Sequence, residues 1–256
     1  MNFQQPLTAR FSHDSIELAD RLAVFLLKEL SMLRASSAGD SAKVLQIMDL
    51  CCGCGVVGLE TERRLRDRVR VMEASNTLVP SLFKTAGRRW TFLEVQDIYQ
   101  DFFELNRANL QRELNGQGAD EEHLGLDQLE HSLWVGMNYR NLIGLDQYRG
   151  TFDWIVSNPP YFDPTHGRLP VDKIKARSRF YLDGSFEEFL SAIRWSLAPS
   201  GKALILVRDL SDHGIRRQES LQRTFSDQDF QLDWLDPIRG TDLLLVSARS
   251  DFSNDR

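Results

Sequence analysis

The chain of 256 residues is long enough for one domain with a sizeable core, or at most two small ones. Its composition, 42% hydrophobic and 27% charged, is that of an ordinary soluble protein, and no apolar run approaches the ~18 residues that a membrane span needs. A net charge of −6 argues against broad, non-specific nucleic-acid binding, although a local basic face is compatible with it.

Neither a targeting segment nor a metal site is predicted. The start of the chain lacks the charged-then-apolar order of a signal peptide. The three cysteines, Cys51, Cys52 and Cys54, are too close together for useful disulfides, and no fourth ligand completes a zinc site nearby. We therefore expect a reduced, cytoplasmic protein without a bound metal or a membrane partner.

The first predicted element is an amphipathic helix. Ser12 or Asp14 is a candidate cap for a helix whose apolar residues, from Leu18 to Leu30, fall on one face. Residues 34–43 are rich in Ser, Ala and Gly and are predicted to form a loop. We expect residues 1–43 to be a short helical extension in front of the main domain, which would end near residue 249, before a polar tail of residues 250–256.

A buried strand, a glycine turn and a helix follow. The apolar run of residues 44–50 leads through Gly53 and Gly55 into a helix, which is the order of a nucleotide-binding unit. The two glycines let backbone approach a ligand closely, and Asp49 at the strand end can hold a charged or hydroxyl group. The glycine spacing differs from that of a dinucleotide-binding fingerprint.

The second strand has two candidates, residues 69–73 and residues 90–95. Either would end in an acid, Glu73 or Glu94, that could hold ribose hydroxyls. The distance from Asp49 favours Glu73, whereas the convincing helix after residue 98 favours Glu94, which we prefer. If Glu94 ends the second strand, residues 71–89 are an insertion, residues 115–130 are a surface loop, and the third strand runs from Leu133 to Asn138. If Glu73 ends it instead, Asp97 would be the residue at the end of the third strand in place of Asn138.

The strongest local signal is the loop Asn158-Pro159-Pro160-Tyr161-Phe162 after the buried run Trp154 to Val156. Two prolines end the strand and stiffen the loop at its carboxyl end, where open α/β sheets bind ligands. An amide oxygen and a proline carbonyl can both accept hydrogens from a planar amine and aim it at an electrophile, and an aromatic ring can stack on a base. The alternative is a simple Pro-Pro turn with a capping Asn.

A basic segment follows this loop, with Arg168, Lys173, Lys175, Arg177 and Arg179 within a dozen positions. Such a cluster can meet phosphates, or it can be a flexible charged loop, and both readings stay open. His166 is a candidate general base, but a single histidine in a loop is more often not catalytic.

The remaining elements complete a sheet. A helix capped by Ser185 is predicted to end at residues 199–201, before a fifth strand at residues 202–207 and a helix at residues 215–225. Two closing strands, residues 230–235 and 241–248, are joined through Pro237 and Gly240. Alternating strands and helices followed by two strands predict a doubly wound α/β sheet with an antiparallel last pair.

These motifs resemble the class I S-adenosylmethionine-dependent methyltransferases, which share a seven-stranded Rossmann-like sheet with an antiparallel last strand. Asp49, Gly53 and Gly55 match the first motif of the family, and Cys51 stands where its first glycine is usual. The resemblance implies that Glu94 binds the cofactor ribose and that Asn138, where the family usually has Asp, contacts the adenine.

A closer resemblance is to the tRNA adenine-N6 methyltransferases that modify a valine tRNA beside its anticodon. Residues 10–19, residues 94–96, residues 158–162 and the pair Ala176-Arg177 carry it. It implies N6 methylation of an adenine in tRNA or another RNA. The alternatives are N5 methylation of a protein glutamine, guanine-N2 methylation of rRNA, and an inactive scaffold supported by Cys51 and Asn138. A thiol enzyme using Cys54 is a weaker option, because no histidine lies near it in sequence.

The resemblance implies three overlapping sets of site residues. Those expected to bind S-adenosylmethionine are Asp14, Asp49, Cys51, Gly53, Gly55, Glu94, Asn138 and Asn158. Those expected at the methyl-transfer centre are Asn158, Pro159, Pro160 and Tyr161. Those expected to contact the substrate are Tyr161, Phe162, Arg168, Lys173, Lys175 and Arg177.

Overall fold

The computed structural model describes residues 3–7, 13–36, 44–74, 87–115, 129, 131–165, 167–208, 217–225 and 229–248. Within these ranges six α-helices flank a seven-stranded mixed sheet. The helices are α1 (His13–Ser36), α2 (Val56–Ala74), α3 (Ile98–Asn115), α4 (Lys173–Arg179), α5 (Phe186–Ser196) and α6 (Arg217–Phe225). The strands are β1 (Leu45–Leu50), β2 (Arg88–Glu94), β3 (Leu133–Gly136), β4 (Phe152–Ser157), β5 (Leu197–Val207), β6 (Phe230–Ile238) and β7 (Thr241–Ala248).

The strand order is β3-β2-β1-β4-β5-β7-β6. The strands from β3 to β5 pair in parallel, and β7 pairs antiparallel with both β5 and β6. The predicted doubly wound sheet with an antiparallel last strand is therefore confirmed. Because the strand order reverses between β1 and β4, the loops after these strands open a crevice at their carboxyl ends.

The N-terminal helix shares the main core. Leu18, Leu22 and Leu26 of α1 are fully buried, in the same cluster as Leu45 of β1 and Leu65 of α2. None of the described helices is long and apolar enough to cross a membrane. The loop predicted at residues 34–43 is wrong for residues 34–36, which belong to α1, and its residues 37–43 lie outside the described residues. The capping Ser12 and the predicted tail of residues 250–256 lie outside them as well, so the domain boundary at residue 43 stays a prediction.

The candidate strand at residues 69–73 is wrong, because these residues belong to α2. Val69 is buried and Val71 is 69% exposed, which is incompatible with two residues on the same face of a strand. The second strand is β2, so Glu94 is its last residue. The side chain of Glu73 and residues 75–86 of the predicted insertion lie outside the described part of the chain, as do residues 116–128 of the predicted surface loop.

Other elements differ from prediction as well; β2 begins two residues earlier than predicted and β6 ends three residues later. The basic segment is a helix at α4, where Asp172 Oδ1 accepts a hydrogen bond from Lys175 N (2.8 Å), and not a loop throughout. Helix α5 ends at Ser196, because the carbonyls of residues 195 and 196 accept hydrogen bonds from Gly150 N and Thr151 N, and β5 begins there beside β4. Strand β3 stops at Gly136, so Asn138 lies beyond it.

A buried ion pair joins α2 to β2. Arg88 Nε and Nη2 donate to the two carboxylate oxygens of Glu62 at 2.8 and 3.0 Å, and Trp90 Nε1 donates to the same carboxylate at 2.7 Å. The side chains of Glu62 and Arg88 are 0% and 1% exposed. Burial raises the pKa of Glu62, but the guanidinium of Arg88 outweighs it and holds this pKa below its usual range. The pair fixes α2 against the strand that ends in Glu94.

Replacing Arg88 by Met should lower the free energy of unfolding by about 3–5 kcal/mol, since the carboxylate of Glu62 is then buried without its cation. Arg68→Met is the matched control: Arg68 pairs with Asp20 at 3.0 Å, but both side chains are about a third exposed. This exposed pair should contribute only about 0–1 kcal/mol. Urea unfolding of both variants measures the difference, and equal losses would contradict a special role for the buried pair.

Candidate active site

A cavity of about 450 Å³ opens at the carboxyl ends of β1, β2 and β4. Its wall is formed by the glycine turn after β1, the end of β2, the loop after β4 and helix α4. The structure brings together in this wall the following predicted site residues: Asp14, Cys51, Gly53, Glu94, Asn158, Pro159, Pro160, Tyr161, Phe162, Lys175 and Arg177. Five others are not part of it: Asp49, Gly55, Asn138, Arg168 and Lys173.

The glycine turn is built from left-handed backbone. Cys51, Gly53 and Gly55 have φ of 61°, 54° and 80°. A Cβ on Gly53 would meet no heavy atom within 4 Å, so this glycine leaves open space beside the cavity. A Cβ on Gly55 would lie 2.6 Å from Phe103 Cδ2, so this glycine lets α3 pack against the turn. Cys51 is a non-glycine residue in a conformation that disfavours a Cβ.

The carboxylate of Glu94 joins the end of β2 to this turn. Oε2 accepts a hydrogen bond from Gly53 N, and Oε1 accepts hydrogen bonds from Val95 N and Gln96 N, each at 3.0 Å. The residue is 6% exposed. Burial raises the pKa of Glu94, and the three backbone N–H groups and the Arg177 cation oppose that increase. Glu94 thus holds the turn and faces the cavity at the same time.

Asp49 lies behind the turn, away from the cavity. Its Oδ2 accepts a hydrogen bond from Gly58 N at 2.9 Å, in the first turn of α2, and its Oδ1 is buried without a partner among the described residues. Burial raises the pKa of Asp49 to about 7; the Gly58 bond lowers this pKa and the charge of Glu94 raises it further. The carboxyl group therefore caps α2, a contact that anchors the helix to the strand end.

Asn138, which was expected to contact the adenine of the cofactor, is not part of the cavity wall and bonds to neighbouring backbone groups. Its Nδ2 donates to the carbonyl of Asp183 at 2.5 Å, and its Oδ1 accepts from Arg140 N at 3.0 Å, which caps the 3₁₀ helix Tyr139–Leu142. Asp183 lines the cavity in turn. The amide of Asn138 positions Asp183 at the cavity wall.

The loop after β4 holds its amide in one orientation. Asn158 Nδ2 donates to Ser15 Oγ of α1 at 2.9 Å, and Asn158 Oδ1 accepts a short hydrogen bond from the Tyr161 hydroxyl. Burial raises the pKa of Tyr161, so its hydroxyl keeps its proton and donates. Tyr161 N and Phe162 N both donate to the Arg179 carbonyl at 2.9 Å, which ties the loop to the end of α4.

Helix α4 covers one side of the cavity. Tyr99 of α3 and Ser178 of α4 share a hydrogen bond of 2.9 Å between their hydroxyls. Arg177 donates from Nε and Nη2 to the carboxylate of Asp183 at 2.9 and 2.7 Å. Lys175 and Arg179 are exposed on the same helix and line the cavity mouth. Arg168 and Lys173 are exposed outside it, and His166 lies outside the described residues.

The cysteines of the turn are poor nucleophiles. Burial raises the pKa of Cys51 and of Cys52 well above the usual range, and it raises the pKa of Cys54 to about 12. Thiols in such surroundings stay protonated near neutral pH. Among the described residues no group of three or more His, Cys, Asp or Glu side chains could hold a metal ion. The burial of these protonated thiols argues against the alternative of an enzyme that uses Cys54 as its nucleophile.

Sequence reasoning missed several residues that shape the site. Ser15 falls inside the predicted motif at residues 10–19, so its position could have been noticed, but its bond to Asn158 spans 143 positions. Tyr99, Asp183 and Arg208 line the cavity without any local pattern that marks them. Arg217 donates from Nη2 to the Tyr161 carbonyl and has no sequence signal either.

Comparisons with known proteins give relatives of one kind. No protein-family model matches the chain. The chain is 26% identical over 194 residues, 75% of its length, to the tRNA1(Val) (adenine(37)-N6)-methyltransferase of Shewanella putrefaciens, of which it covers 61%. It is 32% identical over 93 residues, 36% of its length, to the protein of the same name from Shewanella sp. strain W3-18-1, of which it covers 35%. The chain thus spans less than two thirds of the length of these curated relatives.

A solved structure shares the fold. A Listeria monocytogenes protein assigned to the class I S-adenosylmethionine-dependent methyltransferases superposes with a TM-score of 0.50 at 14% identity, covering 98% of this chain and 64% of that one. At this identity the likeness shows the Rossmann-like methyltransferase fold alone.

Asp49 makes stability depend on pH. Its folded pKa of about 7 lies above the ~3.9 of an unfolded aspartate, so the folded chain holds this proton more tightly. The contribution of Asp49 is therefore fully present below about pH 4 and is lost as the pH rises towards 7. Asp49→Asn keeps an acceptor for Gly58 N but does not titrate.

We expect the stability of Asp49→Asn relative to the parent to rise by about 1–3 kcal/mol between pH 5 and pH 8. Urea unfolding at both pH values measures it. The exposed Asp236→Asn is the control and should show no such rise. A difference between Asp49→Asn and the parent that does not change with pH would contradict the assignment.

Proposed function

We propose that the chain is an S-adenosylmethionine-dependent N-methyltransferase that acts on the N6 amino group of an adenine in RNA, with tRNA as the substrate class. The observation that carries the proposal is the amide of Asn158, which Ser15 and Tyr161 hold in one orientation at the wall of a cavity that also contains the glycine turn. The named activity of the Shewanella relatives supports the same reaction and the same substrate.

The residues present fit the cofactor. Space is open beside Gly53, where backbone can approach a ligand, and the carboxylate of Glu94 lies at the same wall. Asp14 lines the cavity from α1, and Cys51 and Asn158 complete the side between β1 and β4. When bound, S-adenosylmethionine would supply an electrophilic methyl group on a sulfonium. Asp49, Gly55 and Asn138 would act through the turn and through Asp183, without touching the cofactor.

The acceptor side is served by Asn158 and Pro159. An amide oxygen has two lone pairs, and the Tyr161 hydroxyl uses one at Asn158 Oδ1, which leaves the other for an amine hydrogen. The carbonyl of Pro159 can accept the second amine hydrogen, and Pro160 stiffens the loop. The ring of Tyr161, half-buried beside Phe162, gives a surface on which an unstacked base can lie. Most of the rate enhancement would then come from positioning the amine and the methyl group close together in the cavity.

RNA binding would use the basic residues around the cavity mouth. Lys175 and Arg179 are exposed and line the cavity, and Lys173 of α4 and Arg168, which precedes α4, are exposed outside it. Arg177 is already paired with Asp183, so its role would be to hold the wall more than to meet a phosphate. A local basic helix is consistent with a chain of net charge −6 that binds one RNA loop in the cytoplasm, since only a few phosphates need be contacted.

Replacing Asn158 by Ala should lower kcat for methyl transfer by about 10²–10³-fold, because the amine loses its acceptor. The Kd for S-adenosylmethionine should change only a few-fold, because Asn158 would be one of several residues that hold the cofactor. Labelled methyl transfer to total tRNA measures the first quantity and calorimetry the second. The exposed Asn141→Ala is the matched control and should behave as the parent. Near-normal turnover of Asn158→Ala would refute the role. Label that enters protein and not tRNA would redirect the proposal to a glutamine acceptor.

Neutralising the exposed lysines of α4 should test the RNA contact. For Lys173→Gln combined with Lys175→Gln, we expect weaker tRNA binding. The slope of log Kd against log salt concentration should also fall by about one or two, because fewer counterions are released on binding. Lys28→Gln, exposed on α1 and not part of the cavity wall, is the control. An unchanged salt slope in the double variant would show that α4 does not meet phosphates.

A further inference from the structure

Arg217, the first residue of α6, is a fully buried arginine next to the loop after β4. It is 1% exposed and is among the largest fully buried side chains of the described chain. Its Nη2 donates a short hydrogen bond to the carbonyl of Tyr161, the residue whose hydroxyl contacts Asn158. None of the predicted site residues explains why a cation should be placed there.

The surroundings of Arg217 are aromatic. Its guanidinium carbon lies 4.7 Å from the ring centroid of Phe186 and 5.9 Å from that of Tyr181. Within the described chain its Nε and Nη1 have no hydrogen-bond partner. Among the described residues no carboxylate is bonded to this buried cation, and cation–π contacts offset only part of the cost of burying it. The hydrogen bond that the described chain gives Arg217 is to the carbonyl of Tyr161, which points to a role at the loop after β4.

We propose that Arg217 is a positioning residue that fixes Tyr161, and through it the Asn158 amide, in the orientation needed for methyl transfer. Tyr161 is held at three points: Arg217 binds its carbonyl, the Arg179 carbonyl accepts its N–H, and Asn158 accepts its hydroxyl. Two of these contacts come from different helices, α4 and α6. Without Arg217 the peptide after Tyr161 is released on one side, and the hydroxyl is no longer held on Asn158.

This inference rests on the proposed function for its kinetic consequence, but its structural part can be measured alone. Pro159 and Pro160 have no amide hydrogens, so the exchange of the Tyr161 and Phe162 amides reports on the loop directly. We expect Arg217→Met to speed exchange of these two amides at least 10-fold. We also expect it to lower kcat about 10- to 100-fold, with the Kd for S-adenosylmethionine within 2-fold of the parent.

Two further variants make the test specific. Arg217→Lys keeps a donor for the carbonyl and should recover part of the lost turnover. Arg223→Met, an exposed arginine on the same helix, should leave exchange and turnover unchanged. If Arg217→Met does not fold, Arg217→Gln, which also loses the charge and the reach to the carbonyl, takes its place with the same expectation.

The outcomes separate the two claims. If the parent methylates no RNA but Arg217→Met still speeds exchange at residues 161 and 162, the proposed function fails and the clamp on Tyr161 stands. If the parent is active and the folded Arg217 variants keep parental exchange and kcat, the positioning role is overturned. A loss of kcat that only follows the unfolded fraction, with no local change in exchange, overturns it as well.

Discussion

Three backbone N–H groups from two separate segments converge on the carboxylate of Glu94, and the cavity depends on this contact. The parallel strands β1 and β2 bring the glycine turn and Glu94 side by side, and two bonds join the turn to the end of β2: Gly53 N donates to the Glu94 carboxylate at 3.0 Å, and Cys52 N donates to the Leu93 carbonyl at 3.1 Å. Asp49 anchors the turn from behind through Gly58 N. Two buried carboxyl groups, Asp49 and Glu94, therefore bond to the glycine turn and to the start of the helix that follows it.

The opposite wall is held in a different way. The two prolines of the loop after β4 have no backbone N–H to donate, so beyond the bond between the Tyr161 hydroxyl and Asn158 Oδ1 the loop is held by distant helices. Helix α1 reaches it through Ser15, α4 through the Arg179 carbonyl and α6 through Arg217. The loop is thus as rigid as the packing of three helices, and the N-terminal extension belongs to the site because α1 supplies the acceptor for Asn158.

Sequence reasoning succeeded where signals are local. Buried apolar runs punctuated by Gly or Pro located β1, β4 and the loops after them, and the helix after residue 98 correctly favoured residues 90–95 over residues 69–73 as the second strand. The helical period of residues 69–73 was missed because their β-branched composition imitates a strand. Ser15 and Arg217 could not be predicted, since their contacts bridge 143 and 56 positions and depend on how helices pack. Asp49 lies at the end of β1 as expected and Asn138 lies two residues beyond β3, and the side chains of both bond to neighbouring backbone groups of the protein.

The placement of β7 has a consequence for synthesis of the chain. It follows the other described strands in sequence, yet it pairs between β5 and β6. Until residues 241–248 have left the ribosome, the edge of β5 has unpaired backbone groups, although the strands that carry the cavity are already complete. During synthesis the chain therefore passes through a stage at which the strands around the cavity are complete while the edge of β5 is unpaired and open to pairing with another chain. This stage is the point at which stalled translation would lead to aggregation and a chaperone would be needed.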